Sequence, residues 1–177
     1  PISTIGQNGL NAPLSLTSPN LGTPSALVLT NATGLPTTAL PAGTIKQVVT
    51  AKATGTTTSA STSAVSLGIS VSITVRAGSS VVALAVSGIY GSGNGGAWSS
   101  TGRIWLYRDS TVLSTSEHMG VITSLEQTST HSIMYLDQSL SAGTYTYAVK
   151  GSSTTGGTLN YNRDAYMGNL ILMEVAG

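Results

Sequence analysis

The sequence predicts an all-β protein, a sandwich or barrel of short strands preceded by an extended amino-terminal segment. All 6 prolines lie before residue 44 of the 177-residue chain. The rest of the chain alternates short apolar runs with turns rich in glycine, serine and asparagine, as strands joined by tight connections do. No stretch combines apolar residues at helical spacing with helix caps. These observations divide the chain into residues 1–43 and residues 44–177.

Residues 1–43 combine a proline density that excludes long helices and central strands with regularly recurring apolar residues. These are Leu10, Leu14, Leu16, Leu21, Leu27, Val28, Leu29, Leu35 and Leu40. A disordered linker would not need them. We therefore expect an extended stem that packs against identical chains around an axis.

The pattern of residues 44–177 predicts a domain built of strands, the first at residues 45–49. In residues 67–75, apolar and small polar residues then alternate strictly. This period of two predicts one buried sheet face, formed by Leu67, Ile69, Val71, Ile73 and Val75. After a turn at residues 78–80, residues 81–89 are almost continuously apolar, which is typical of a strand covered on both faces.

The remaining predicted strands are short and separated by clear turns. Residues 104–107 and 111–113 form a hairpin around residues 108–110. The other strands are residues 133–136, residues 144–149 after a turn at 141–143, and residues 169–175.

Composition excludes several functions. Charged residues are only 7% of the chain, the formal net charge is +1, and there is no cysteine. Nucleic-acid binding, binding to an anionic membrane and thiolate or zinc-thiolate chemistry are therefore not expected. No apolar run has the length of a membrane span. A surface solubilised by hydroxyl groups is typical of extracellular or virion proteins, and of subunits hidden against copies of themselves. Because the sequence opens on Pro1, we expect a processed product or a fragment of a longer protein.

Two groups of residues carry a family resemblance. Residues 21–36 read LGTPSALVLTNATGLP and resemble the LGTPSSxTLTNATGLP segment of tail fibres and related structural proteins of tailed bacteriophages. The later part is similar to the jelly-roll heads at the carboxyl terminus of many such proteins. The matching segments are WLYRDS (residues 105–110), YLD (135–137), AGTYTYAV (142–149) and LILMEV (170–175). The chain departs from that pattern after Asp137, where such heads often have a proline shortly afterwards.

The resemblance implies an antiparallel jelly-roll head at residues 44–177 and a homotrimer whose stems wind together. The heads would pack side by side, in the manner of tumour-necrosis-factor or C1q heads. It implies a location on the virion surface, contacts with other virion proteins through the amino-terminal side, and no cofactor. The expected function is a fibre or spike tip that attaches to a host-surface glycan or protein. The alternative is a purely structural virion component, such as a capsid head fibre, a decoration protein or a tail-needle or adaptor knob. A bacterial adhesin or carbohydrate-binding module comes third.

Catalytic and metal-binding patterns are weak. His118 and His131 are the only histidines and lack metal-ligand spacing. The 6 carboxylates are scattered, and no serine stands in GxSxG. We predict that the chain is not an enzyme and holds no metal, and leave open an ion on the trimer axis.

Two loops have the chemistry of sugar binding, in which aromatic faces stand beside polar side chains. The first is residues 91–99, with Asn94 and Trp98. The second is residues 160–166, with its candidate contacts at Tyr161, Asn162, Arg163 and Asp164. The alternative for both is a role in packing or trimer contacts. Glu174, in an apolar terminal strand, is expected to be satisfied by an arginine or by backbone donors.

Overall fold

The computed structural model describes residues 40–91, 102–118, 127–154, 156–163 and 168–177. Within these residues the chain forms ten strands, all in the compact unit Pro36–Gly177. They are β1 (Ile45–Lys52), β2 (Thr57–Ser59), β3 (Val65–Val75), β4 (Ser80–Gly91), β5 (Gly102–Arg108), β6 (Thr111–His118), β7 (Gln127–Asp137), β8 (Gly143–Ser153), β9 (Leu159–Tyr161) and β10 (Asn169–Val175). Most of the predicted stem lies outside the described residues, so the stem and its boundary at Gly43 stay predictions.

The strands form two antiparallel sheets. In sheet 1, β4 is flanked by β7 on one side and by β10 and β9 on the other, and β1 and β2 pair with β10 and β9 respectively. Sheet 2 has the order β3-β8-β5-β6. The chain passes between the sheets after β2, β3, β4, β6, β7 and β8. In sheet 1 the short β9 and β2 lie in line with β10 and β1, so each sheet is four strands wide. Repeated crossing between two such sheets gives a jelly-roll-like sandwich.

Every strand predicted from the sequence is present, and β10 has the predicted bounds. Strands β2 and β9 were not predicted, because three residues are too few to show an alternating pattern.

The predicted inward face of β3 is confirmed. Leu67, Ile69, Ile73 and Val75 are at most 2% exposed, and the half-buried Val71 packs against the same core. The sheet 1 side chains that face them across the sandwich include Val81, Ala83, Ala85, Leu170 and Leu172.

Within the described residues, the prediction that β4 is covered on both faces is wrong. Val81, Ala83 and Ala85 are buried against sheet 2, whereas the intervening Val82 and Leu84 are only half-buried. The apolar run in the sequence therefore marks a core face and a second, outward apolar face.

The two ends of the sandwich are defined by the elements that lie there. The near end is where the chain enters β1, beside the last residues of β10; the Gly43 amide donates there to the Ala176 carbonyl at 2.8 Å. At the opposite end, the far end, Gly91 pairs with Gln127 and Gly102 pairs with His118.

Candidate functional site

The outer surface of sheet 1 carries large apolar side chains that no second layer of the described residues covers. Met134 is 77% exposed, Val48 is 53% exposed and Leu136 is 47% exposed. Half-buried apolar residues lie between them. We call this set the apolar face; its members are Val48, Val82, Leu84, Met134, Leu136, Ile171 and Met173.

Strand register brings the apolar face together from four strands. One row runs across β1, β10, β4 and β7, and its four members are Val48, Met173, Val82 and Leu136. The next outward row contains Ile171, Leu84 and Met134, with Thr50 at its edge. Directly opposed residues on adjacent strands point to the same side of a sheet. The seven side chains therefore form one continuous surface.

Along β3 and β8, the outer surface of sheet 2 carries hydroxyl side chains instead of apolar ones. Ser72 and Thr146 share a hydrogen bond of 2.9 Å across the strands, and Thr74 and Thr144 share one of 2.8 Å. Hydroxyl side chains of this kind are readily solvated. The outer surface of sheet 1 is thus apolar, and that of sheet 2 is hydrophilic along β3 and β8.

Sequence reasoning missed the apolar face, although the signal was present. β4 lacks polar residues at its outward positions 82, 84 and 86, in contrast to the serines and threonines of β3. The same holds for Ile171 and Met173 in β10. These outward positions would have indicated a second apolar surface once β4 and β10 were known to be neighbours.

Tyr161 and Asn162, predicted as ligand contacts, lie inside the protein with 0% exposure. Tyr161 belongs to β9 and packs in the core. The Asn162 amide group donates to the Leu67 carbonyl at 3.4 Å, and its Oδ1 accepts from the Ser87 hydroxyl at 3.0 Å. The surface-contact prediction is therefore corrected for these two residues, which have the packing role that was its alternative.

The other predicted contacts are not brought into one described site. Arg163 is exposed, and its guanidinium lies 4.2 Å from the centre of the Tyr90 ring. Asn94, Trp98 and Asp164 lie outside the described residues, so their roles stay predictions. The strand ends that flank both predicted loops do lie together at the far end, where Tyr90 pairs with Asn160.

Asp137, a buried carboxylate, joins the two sheets. The Arg108 guanidinium donates from Nη1 to both of its oxygens at 2.7 Å, and the Tyr147 hydroxyl donates to Oδ2 at 2.7 Å. Burial and this hydrogen bond raise the pKa of Tyr147. The geometry is that of a structural ion pair with every oxygen occupied.

Glu174 is also buried, and the prediction of backbone donors for it is confirmed. Its carboxylate accepts from the Arg76 amide at 3.0 Å, from the Gln47 side chain at 2.7 Å and from the Ser79 hydroxyl at 2.7 Å. Burial alone would raise the pKa of Glu174, but these hydrogen bonds outweigh burial and hold it below its usual value.

His131 is buried on β7, with its Nε2 3.1 Å from the Ser129 hydroxyl. Within the described ranges, no group of three or more histidine and carboxylate side chains is arranged to hold a metal ion. The same residues include no helix with the length and hydropathy of a membrane span.

Comparison with known proteins gives little. No family model matches the chain, and no curated protein matches it. A solved structure of infectious bursal disease virus, Gx strain, is similar at 16% sequence identity and a TM-score of 0.35, over 82% of this chain. The chain spans 41% of the length of that structure's chain. A likeness of this size defines neither the family nor the function of the chain.

Proposed function

We propose that the chain is a non-enzymatic head module of a virion fibre or spike, which assembles as a homotrimer through its apolar face. The observation that carries this proposal is the pair of apolar rows across four strands of sheet 1. Contiguous exposed apolar surface of this extent is typical of an interaction site rather than of a monomer's surface.

A second copy of the same chain is the partner that fits best. Both rows contain only valine, leucine, isoleucine and methionine, apart from Thr50 at the edge. No charge in them needs a complementary charge, so an identical apolar surface suffices. In a cyclic oligomer every copy buries the same residues. The phage-like segment at residues 21–36 favours three copies.

Attachment to a host surface is the role that we assign to the far end. The near end receives the chain at Thr44 and Ile45, so the far end is the part of the head most distant from that connection. The strand ends that flank both predicted sugar-binding loops lie there. A purely structural part of the virion, without a receptor, is the alternative. Locating labelled chains on intact particles distinguishes a fibre tip from a capsid or adaptor position.

Self-association is tested by placing a charge on the apolar face. Met134→Glu alters a side chain that is already 77% exposed, so the isolated head should still fold. An unpaired carboxylate buried between copies is strongly unfavourable. We expect light scattering at micromolar concentration on residues 40–177, which leave out most of the expected stem, to give a trimer mass for the wild type and a monomer mass for Met134→Glu.

The matched control is Ser70→Glu, on the exposed outer side of sheet 2. It adds the same charge away from the apolar face and should leave the trimer intact. A monomeric wild type, or a Met134→Glu variant that remains trimeric, would contradict the proposal.

A further inference from the structure

Two aromatic side chains stand on the outer side of sheet 2 beside a lysine. Trp105 and Tyr107 are two residues apart on β5, and Lys150 on β8 pairs with Trp105. The Lys150 Nζ lies 4.0 Å from the centre of the Tyr107 ring. The Trp105 Nε1 donates to the Ser152 hydroxyl at 3.0 Å, which fixes the orientation of the indole. We call these three residues the aromatic–lysine patch.

The charge of Lys150 is not neutralised by the described part of the chain. In the described residues, Lys150 has neither an ion pair nor a hydrogen bond from its ammonium group, only the contact with the Tyr107 ring. The Arg103 guanidinium lies 5.0 Å from the Trp105 ring centre, at the edge of the patch. The cation of the three-residue patch is the ammonium of Lys150, with the Arg103 guanidinium beside it.

Exposed hydroxyl groups border the patch on both sides. Ser66 on β3 pairs with Lys150, and Thr115 on β6 pairs with Trp105. Ser66 and Thr115 are exposed, whereas Trp105, Tyr107 and Lys150 are half-buried. Pre-ordered rings surrounded by hydroxyl groups provide both apolar contact and hydrogen bonds to one ligand.

We propose that the aromatic–lysine patch binds an acidic polysaccharide. The rings contact the apolar C–H surfaces of a sugar, the serine and threonine hydroxyls bond to its hydroxyls, and Lys150 pairs with its carboxylate. A nucleic acid would require several cations in a row, whereas the described surface here has two, Lys150 and Arg103. The inference goes beyond the proposed function and depends on it in one respect. The patch lies on the side of the sandwich opposite the apolar face, so it stays accessible in the assembled trimer, where three copies add avidity.

The probe is a polygalacturonate oligomer, titrated into the full chain at low salt. Lys150→Gln should weaken binding about tenfold, as expected for the loss of one charge-assisted contact. Arg76→Gln removes the same charge from an exposed turn at the near end and should change nothing. Salt at about 0.5 M should also weaken binding.

Two further ligands separate charge from sugar recognition. Neutral dextran of equal length lacks the carboxylates, and poly(glycerol phosphate) carries charge without a sugar ring; both should bind at least about tenfold more weakly. The proposal is overturned if polygalacturonate does not bind, if both charge variants weaken it equally, or if either control ligand binds as well. Light scattering on the same samples reports trimer formation independently, so a failed patch and a failed assembly give different results.

Discussion

Tyr147 and Tyr161 are both fully buried, yet their hydroxyl groups are in different situations. The Tyr147 hydroxyl donates to the Asp137 carboxylate at 2.7 Å. Among the described residues the Tyr161 hydroxyl has no hydrogen-bond partner, and burial raises its pKa. A buried donor that keeps a charged acceptor contributes to stability, whereas one that loses water without replacement opposes folding.

Removing the Tyr147 hydroxyl and removing the Tyr161 hydroxyl should therefore have opposite effects on the free energy of unfolding. We expect Tyr147→Phe to lower the free energy of unfolding by about 1–3 kcal/mol, because Asp137 loses a donor inside the protein. Tyr161→Phe should leave the free energy of unfolding unchanged or raise it. Urea unfolding at neutral pH measures both, and each variant is the other's control. Similar losses in the two variants would show that the Tyr161 hydroxyl does have a partner.

The burial of Tyr161 could not be predicted from its neighbours in the sequence. Asn160 and Asn162 flank it, which is typical of an exposed turn. Its space is created by a distant residue, since a Cβ at Gly151 would lie 2.7 Å from the Tyr161 ring. Such a pairing of a glycine on β8 with an aromatic ring on β9 is a property of the fold, and no local pattern reports it.

At the scale of elements, Glu174 connects β10 to both β1 and the turn that precedes β4. Gln47 lies on β1, and Arg76 and Ser79 belong to that turn. Lys46, also on β1, reaches the Ser79 hydroxyl at 3.0 Å. The carboxylate thus holds three elements together at the near end.

This connection should weaken in acid. The pKa of Glu174 is lower in the folded protein than in the unfolded chain, so ionised Glu174 stabilises the fold above the unfolded pKa. That contribution is lost as the pH falls through the lower, folded pKa. Glu174→Gln should therefore reduce stability at pH 7 and differ progressively less from the wild type below a pH of about 4.5. Thermal unfolding across this range measures the difference, and a gap that does not change with pH would refute the assignment.

The long strands could be predicted because each carries a pattern longer than a turn. The alternation in β3 fixed its inner face, and the apolar run of β10 fixed its bounds. In β4 the pattern was visible but its meaning was not, because a strand with two apolar faces can lie between two layers or at an assembly surface. Only the order of strands in the sheets distinguishes a strand between two layers from one at an assembly surface. That order depends on pairing between residues far apart in the sequence.

At the scale of the whole molecule, the two broad sides of the sandwich have opposite solvation. One side carries the apolar rows of sheet 1, and the other carries the hydroxyl pairs of sheet 2. With only 7% charged residues, the chain has few charges with which to keep apolar surfaces apart in solution. The candidate loops could be proposed from local composition and stay predictions, whereas the apolar face required residues from β1, β4, β7 and β10 to be brought together.

Assembly through the apolar face should make thermal stability depend on protein concentration. Binding of copies to the folded state alone stabilises that state by mass action. We expect the Tm of the wild type to rise between low and high micromolar concentration, and the Tm of Met134→Glu to stay constant. Scanning calorimetry over a concentration series measures this. A wild-type Tm that does not change with protein concentration would mean that association between copies does not stabilise the folded head.

The position of β1 has a mechanical consequence. The chain comes into the head at Ile45, and β1 is held by antiparallel pairing with β10 from Ile45 to Lys52. A pull on the preceding chain, with the head held at its far end, acts along the axis of β1. The backbone hydrogen bonds between β1 and β10 are then sheared together instead of being unzipped one after another. Tension applied to the chain before Ile45 would thus meet collective resistance at the first strand of the head.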